Sequence, residues 1–217
     1  MEPTDRNRKA FDDAHRSSEN VIPREGIPGP IRERLRDLTG QRVVHLGCGT
    51  GVETIELSQL GALVTGVDPD ERLVEEARLR APDLPWLVSP LDALPPEFLR
   101  SRSDLIYAGG SLGRVGDLGA WAGGIASALR PGGALLVYDD HPAAACLDAF
   151  LRWRDDYFEP RAGFRRLGEV LSAIGGAGLA IARFEELPNL SPWQRQDPRV
   201  PAAFVLLAEK PDAPKNV

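Results

Sequence analysis

Between Val43 and Glu53 the chain reads Val-Val-His-Leu-Gly-Cys-Gly-Thr-Gly-Val-Glu. A short apolar run ends in Gly47, Gly49 and Gly51, and a helical pattern follows. Such a stretch folds as a buried strand, a tight turn and the start of a helix. Glycine at alternate positions lets the backbone approach a ligand with no Cβ in the way. The helix start adds free N–H groups and the positive end of a dipole. The turn is shaped for a nucleotide-like cofactor, and the rest of the chain has to say which one.

The 217 residues suffice for one sizeable α/β domain. No apolar run reaches membrane-spanning length, and Met1–Arg6 lacks the apolar core of a signal peptide. These features predict a cytoplasmic protein with no membrane partner. Cys48 and Cys146 are far apart and fit a reducing compartment without disulfides. His15, His45 and His141 are scattered, so no metal is expected. The net charge of −6 disfavours a nucleic-acid backbone as main partner, although Arg161–Arg166 is locally basic.

Residues 1–40 read as an N-terminal unit. A weakly amphipathic helix over Ala10–Asn20 is either a frayed tail or a lid carrying His15. A proline-rich connector follows, then a short helix over Ile31–Leu38. Strands are predicted at Arg42–Leu46, Leu63–Val67, Trp86–Ser89, Asp104–Ala108 and Ala134–Tyr138. Helices are predicted at Val52–Leu60, Pro69–Arg80 and Leu118–Leu129. This alternation predicts a parallel sheet covered on both faces, with ligands beyond the carboxyl ends of its strands. The rhythm breaks over 142–163, read as a helix plus loop over that edge. A helix at Phe164–Ala177 and strands at Leu179–Leu187 and Ala202–Glu209 complete the chain. The last two strands enclose a second insert, 188–201, with Trp193.

The dinucleotide fingerprint requires G-x-G-x-x-G, and here Val52 stands where its last glycine belongs. The spacing G-x-G-x-G resembles that of class I S-adenosylmethionine (SAM)-dependent methyltransferases. His45-Leu46-Gly47-Cys48-Gly49-Thr50-Gly51 is similar to their glycine loop and Thr65-Gly66-Val67-Asp68 to their second motif. Asp92-Ala93 is similar to their third motif, and Leu129-Arg130-Pro131-Gly132-Gly133 to the approach to their fifth strand. The likeness runs over about residues 41–209. It implies a Rossmann-like seven-stranded sheet in the order 3-2-1-4-5-7-6, with strand 7 antiparallel and helices on both faces. The SAM-binding domain would be 41–217, with cap inserts near 142–163 and 188–201.

The resemblance also implies roles. The backbone of Gly47, Cys48, Gly49 and Gly51 would pack on the methionine part of SAM. Asp68 would take the ribose diol, with Pro69 beside it; alternatively Asp68 is a helix N-cap with Pro69 at the first helical position. Asp92 would accept from the adenine amino group and the Ala93 N–H would reach a ring nitrogen, or Asp92 simply caps the next helix. Gly109 and Gly110 would leave room beside the sulfonium or ribose. One position departs from the family: His45 stands where an acid usually helps hold the SAM amino group.

Methyl transfer from a sulfonium mainly needs alignment and exclusion of water. An acceptor hydroxyl also needs a base. His141 is the candidate, oriented by Asp139 or Asp140, or else it fixes the turn before Pro142. Nucleobase amino-methylating members of the class carry Asn/Asp-Pro-Pro-aromatic after the fourth strand, where this chain has Ala108-Gly109-Gly110-Ser111. The expectation is a methyltransferase for a small molecule, as in bacterial specialised metabolism. Trp153, Tyr157, Phe158 and Trp193 either line its pocket or pack as core. The alternatives are a SAM-binding module that does not methylate, and a nicotinamide-dependent oxidoreductase.

Overall fold

The computed structural model describes residues 26–35, 37–100, 102–148, 152–188 and 199–212. The Ala10–Asn20 lid, His15, Trp193 and most of the 188–201 insert lie outside the described residues.

Strand β1 (Arg42–Leu46) runs parallel between β2 (Leu63–Asp68) and β4 (Ser103–Gly109). Beyond β2 lies β3 (Trp86–Val88), and beyond β4 lies β5 (Leu129–Asp140), both parallel to their neighbours. Next to β5 comes β7 (Ala203–Glu209), antiparallel, and β6 (Ala180–Leu187) closes the edge. The order is 3-2-1-4-5-7-6, as the resemblance implies. Strands β6 and β7 pair antiparallel and so need no crossover helix between them.

Alternating strand residues feed two cores. Val44, Leu46, Ile106, Leu135 and Val137 pack on one face under α4 (Leu118–Ala128) and α5 (Leu167–Gly176). Val43, Leu105, Tyr107 and Leu136 pack on the other. There they meet α1 (Gly29–Arg32), the 3-10 turn Glu33–Leu35 and α2 (Val52–Gln59), through Ile31, Leu35 and Leu57. Each such side chain contributes about 1.5–3 kcal/mol by leaving water. Wholly buried Trp121 fills the α4 side.

Several boundaries differ from the sequence reading. Helix α3 (Glu71–Arg80) starts two residues after Pro69 because Asp70 is its N-cap, accepting from the Arg72 N–H at 2.9 Å. Asp68 therefore does not cap it. Strand β5 begins at Leu129 rather than Ala134, since Leu129 pairs with Ser103 ahead of a register shift. Among the described residues, 142–163 holds no α-helix, only the 3-10 turn Ala144–Cys146 and an isolated Leu147–Trp153 bridge. Asp148 and Asp156 accept from the N–H groups of Arg152 and Phe158, and such local bonds compete with helix.

The glycine turn and β2 close over one ring. A Cβ on Gly51 would lie 2.5 Å from Trp86 Cη2, and one on Gly66 would lie 2.5 Å from Trp86 Cε3 and Cζ3. Gly66→Ala should therefore destabilise the chain by about 1–3 kcal/mol through overpacking. Trp86→Leu should recover part of that loss in the double variant. Urea unfolding midpoints of the four proteins check this.

Candidate functional site

The strand order reverses between β1 and β4, and in such sheets ligands usually lie beyond the carboxyl ends of the strands at that point. Gly47 and Cys48 donate backbone N–H groups to the Val67 carbonyl at 2.8 and 3.0 Å, fastening the turn to β2. Gly47 has φ 82° and Gly51 φ 85°, the left-handed region that glycine reaches without strain. Nothing lies within 4 Å of where a Cβ on Gly49 would stand, so the turn is open there.

Asp68, at the end of β2, is fully buried. Its Oδ2 accepts from the Gly49 N–H at 2.8 Å and its Oδ1 from the Asp70 N–H at 3.0 Å. Arg114 Nη1 also donates to Oδ2 at 2.6 Å, and Arg114 Nη2 donates to the Gly47 carbonyl at 3.0 Å. Pro69 is exposed. The Cys48 thiol is pushed up to about 12, first by burial and then by the Asp68 charge, so it is no nucleophile at neutral pH.

His45 is buried at the end of β1. Its Nδ1 shares a hydrogen bond with Thr54 Oγ1 at 2.8 Å, linking β1 to the first turn of α2. Its Nε2 lies 3.7 Å from Glu53 Oε2, a carboxylate that is itself buried. Burial, aided by the Arg114 charge, lowers the imidazole to about 3. His45 is therefore neutral, and its contact with Glu53 is not a pair of opposite charges. Glu53 also flanks Gly109: a Cβ there would stand 2.7 Å from Glu53 Oε2 and 2.8 Å from Tyr107 Oη. Gly110 donates its N–H to the Tyr138 carbonyl at 2.7 Å.

The remaining sequence candidates sit further out. Asp92 Oδ2 accepts from the Asp117 N–H at 2.8 Å, and Asp117 is the N-cap of α4. The Ala93 N–H points to the Pro90 carbonyl at 3.3 Å rather than outward. His141 is buried, and its Nε2 meets Glu186 Oε1 at 2.9 Å. The orienting carboxylate is thus Glu186 of β6, not Asp140 or Asp139; Asp139 Oδ2 accepts from the Leu112 N–H at 2.9 Å. His141 Nδ1 accepts from the Ala143 N–H at 3.1 Å, which leaves the proton on Nε2. Burial lowers this imidazole too, against the opposing pull of Glu186.

The 142–163 insert borders the site, since Gly163 lies against Gly113 and Arg165 donates to the Val115 and Gly116 carbonyls. Trp153 and Phe158 are 58% and 71% exposed, so neither is core. Tyr157 packs edge-on against Phe158 and Phe164.

Arg114, Ser111, Glu53 and Thr54 were not singled out from the sequence as site residues. Glu53 carried a signal of its own, an acid in the first helical turn directly behind the glycine loop.

The family described as "Methyltransferase domain" matches residues 43–133. A solved SAM-dependent methyltransferase from Mesorhizobium loti superposes with a TM-score of 0.68 at 25% identity, covering 83% of this chain and 95% of that one. Residues 43–133 are thus similar to a methyltransferase domain, and the fold is that of a SAM-dependent methyltransferase. The chain is also similar to a ubiquinone biosynthesis O-methyltransferase of Bradyrhizobium sp. (strain ORS 278), 33% identical over 107 residues. That match covers 48% of this chain and 41% of the relative. A demethylmenaquinone methyltransferase of Corynebacterium kroppenstedtii is 37% identical over 106 residues, covering 49% of this chain and 44% of the relative. The matched stretch thus spans less than half the length of these relatives.

The cofactor that goes with this family is SAM, and the residues present fit it. The turn is open at Gly49, and Asp68 is a carboxylate of the kind that takes a diol. Ser111 Oγ is buried beside Gly47 without a hydrogen-bond partner among the described residues. No group of three or more His, Cys, Asp or Glu side chains among the described residues is arranged to hold a metal ion. No helix among them is long and apolar enough to cross a membrane.

The neutral His45 has a consequence for acid stability. Its value falls from 6.5 to about 3 on folding, so the unfolded chain binds the proton more readily. Its contribution is intact above about 6.5 and is lost as pH falls from there towards 3. Wild type should lose stability over that window, and His45→Asn should lose less. Denaturant midpoints measured in steps of pH check the difference.

Proposed function

We propose that this chain binds SAM at the β1–β2–β4 edge and transfers its methyl group to a small-molecule acceptor. The observation that carries the reading is the buried Asp68 carboxylate bonded to the Gly49 N–H of the G-x-G-x-G turn. Asp68 would receive the ribose diol, and the Gly47–Gly51 backbone would support the amino-acid end. Gly109 would leave room for the sulfur, with Glu53 Oε2 beside it. Adenine would lie towards Asp92 and Ala93, with the Asp92 side chain also holding the start of α4.

SAM supplies an already activated methyl group. The chain's part is alignment and exclusion of water, which can account for most of the acceleration in such a displacement. We infer that His141 braces the turn into the insert, because both ring nitrogens are engaged there. An acceptor proton would then leave to water or to a group on the acceptor side. By name, one of the relatives above acts in ubiquinone biosynthesis and the other is a demethylmenaquinone methyltransferase, which supports a small acceptor with an aromatic or quinone ring. The exposed Trp153 and Phe158, on an insert docked beside the site, would suit such a ring. We also propose that residues 41–217 form the cofactor domain, with 1–40 as a separate N-terminal lid or connector.

Isothermal titration with S-adenosylhomocysteine tests the cofactor reading. Wild type should bind it and should not bind NAD. Asp68→Asn should weaken binding by about tenfold or more, the size of a charged hydrogen-bond pair. Binding of NAD in place of S-adenosylhomocysteine would move the chain to the oxidoreductases.

A further inference from the structure

Arg114 stands where the glycine turn and Asp68 meet. It belongs to the 3-10 turn Leu112–Arg114 that follows β4. Asp68 Oδ2 already accepts from the Gly49 N–H and Arg114 Nη1, and Oδ1 from the Asp70 N–H. With no exposed surface, Asp68 in this geometry cannot meet a ribose diol. The two backbone donors are fixed by the turn and by the start of α3. The guanidinium is the donor that can leave, because the Arg114 side chain is 36% exposed and hangs on a long stem with many rotamers. Its other hand, Nη2, lies on the Gly47 carbonyl, 2.7 Å from where a Cβ on Gly47 would stand. Ser111 Oγ is 3.3 Å from that same point and wholly buried, with no partner among the described residues. Two donors thus converge beside Gly47: a planar fork suited to a carboxylate and an uncommitted hydroxyl.

We propose that Arg114 is a latch on the cofactor site: it closes Asp68 as seen here and passes to the cofactor's own α-carboxylate, with Ser111 Oγ as second donor, when the ribose takes Asp68. This rests on the cofactor reading above. The exchange replaces one carboxylate by another, so the guanidinium stays paired throughout. An adenosine nucleoside without a carboxylate must displace Arg114 and leaves it with water alone. Arg114 therefore selects adenosine nucleosides that bear an amino-acid end.

Calorimetry on the full chain with two ligands tests the latch. S-adenosylhomocysteine carries the carboxylate, and 5′-methylthioadenosine is the matching nucleoside without it. Arg114→Ala should bind methylthioadenosine at least about threefold tighter than wild type, because nothing then covers Asp68. Its affinity for S-adenosylhomocysteine should change less, because one pair replaces the other on binding, so the preference for that ligand over methylthioadenosine should fall at least about threefold. Ser111→Ala should weaken S-adenosylhomocysteine alone. The latch is wrong if Arg114→Ala leaves methylthioadenosine unchanged or weaker, or shifts both ligands by one factor. Arg114→Lys keeps the charge and loses the fork; if the alanine variant does not fold, a fall in its preference for the carboxylate ligand supports the latch and an unchanged preference overturns it. Failure of wild type to bind either nucleoside would instead sink the cofactor reading.

Discussion

The bond from the Gly49 N–H to Asp68 is the constraint on which the rest of the site depends. It joins the turn after β1 to the end of β2, so two loops of different strands behave as one piece. A carboxylate without exposed surface is costly unless donors surround it. Here the donors are two backbone N–H groups and one guanidinium. The arrangement explains why Asp70 rather than Asp68 caps α3, and why the glycine turn holds its shape. Trp86 supports the same turn from below, filling the spaces that Gly51 and Gly66 leave.

Around this tie the polar groups divide into two sets. On one side, His45, Thr54, Glu53 and Tyr107 cluster between β1, β4 and the first turn of α2. His45 is neutral, and the acidic side chain at this end of the site is Glu53. On the other side, Arg114 and Ser111 gather donors next to Gly47. A site with a carboxyl group at one end and anion-binding donors at the other suits a ligand that carries an amino group and a carboxylate. His141 stands apart from both sets, bonded to Glu186 and Ala143 at the root of the insert. That separation favours a transfer governed by alignment.

Much of the fold was legible in the sequence because apolar runs and glycine stops mark elements directly. Arg42–Leu46 is a strand with the bounds its pattern predicts, and the strand order followed from the motifs in series. What escaped depended on long-range partners. Asp68 and Asp70 are equally good caps in sequence, and only the pull of Gly49 and Arg114 separates them. The insert 142–163 carries helix-compatible residues, but its aspartates bond their own backbone. His141 and Glu186 are 45 residues apart, so no local pattern pairs them. Arg114 and Asp68 are 46 apart and meet only because β4 lies beside β1.

The central claim is that Asp68 and the glycine turn together form the nucleoside cradle. A crystal structure with S-adenosylhomocysteine tests it most directly. The account predicts both ribose hydroxyls on the Asp68 carboxylate, the sulfur beside Gly109, and the Arg114 guanidinium moved off Asp68. A nucleoside bound elsewhere, with Asp68 still covered by Arg114, would contradict it.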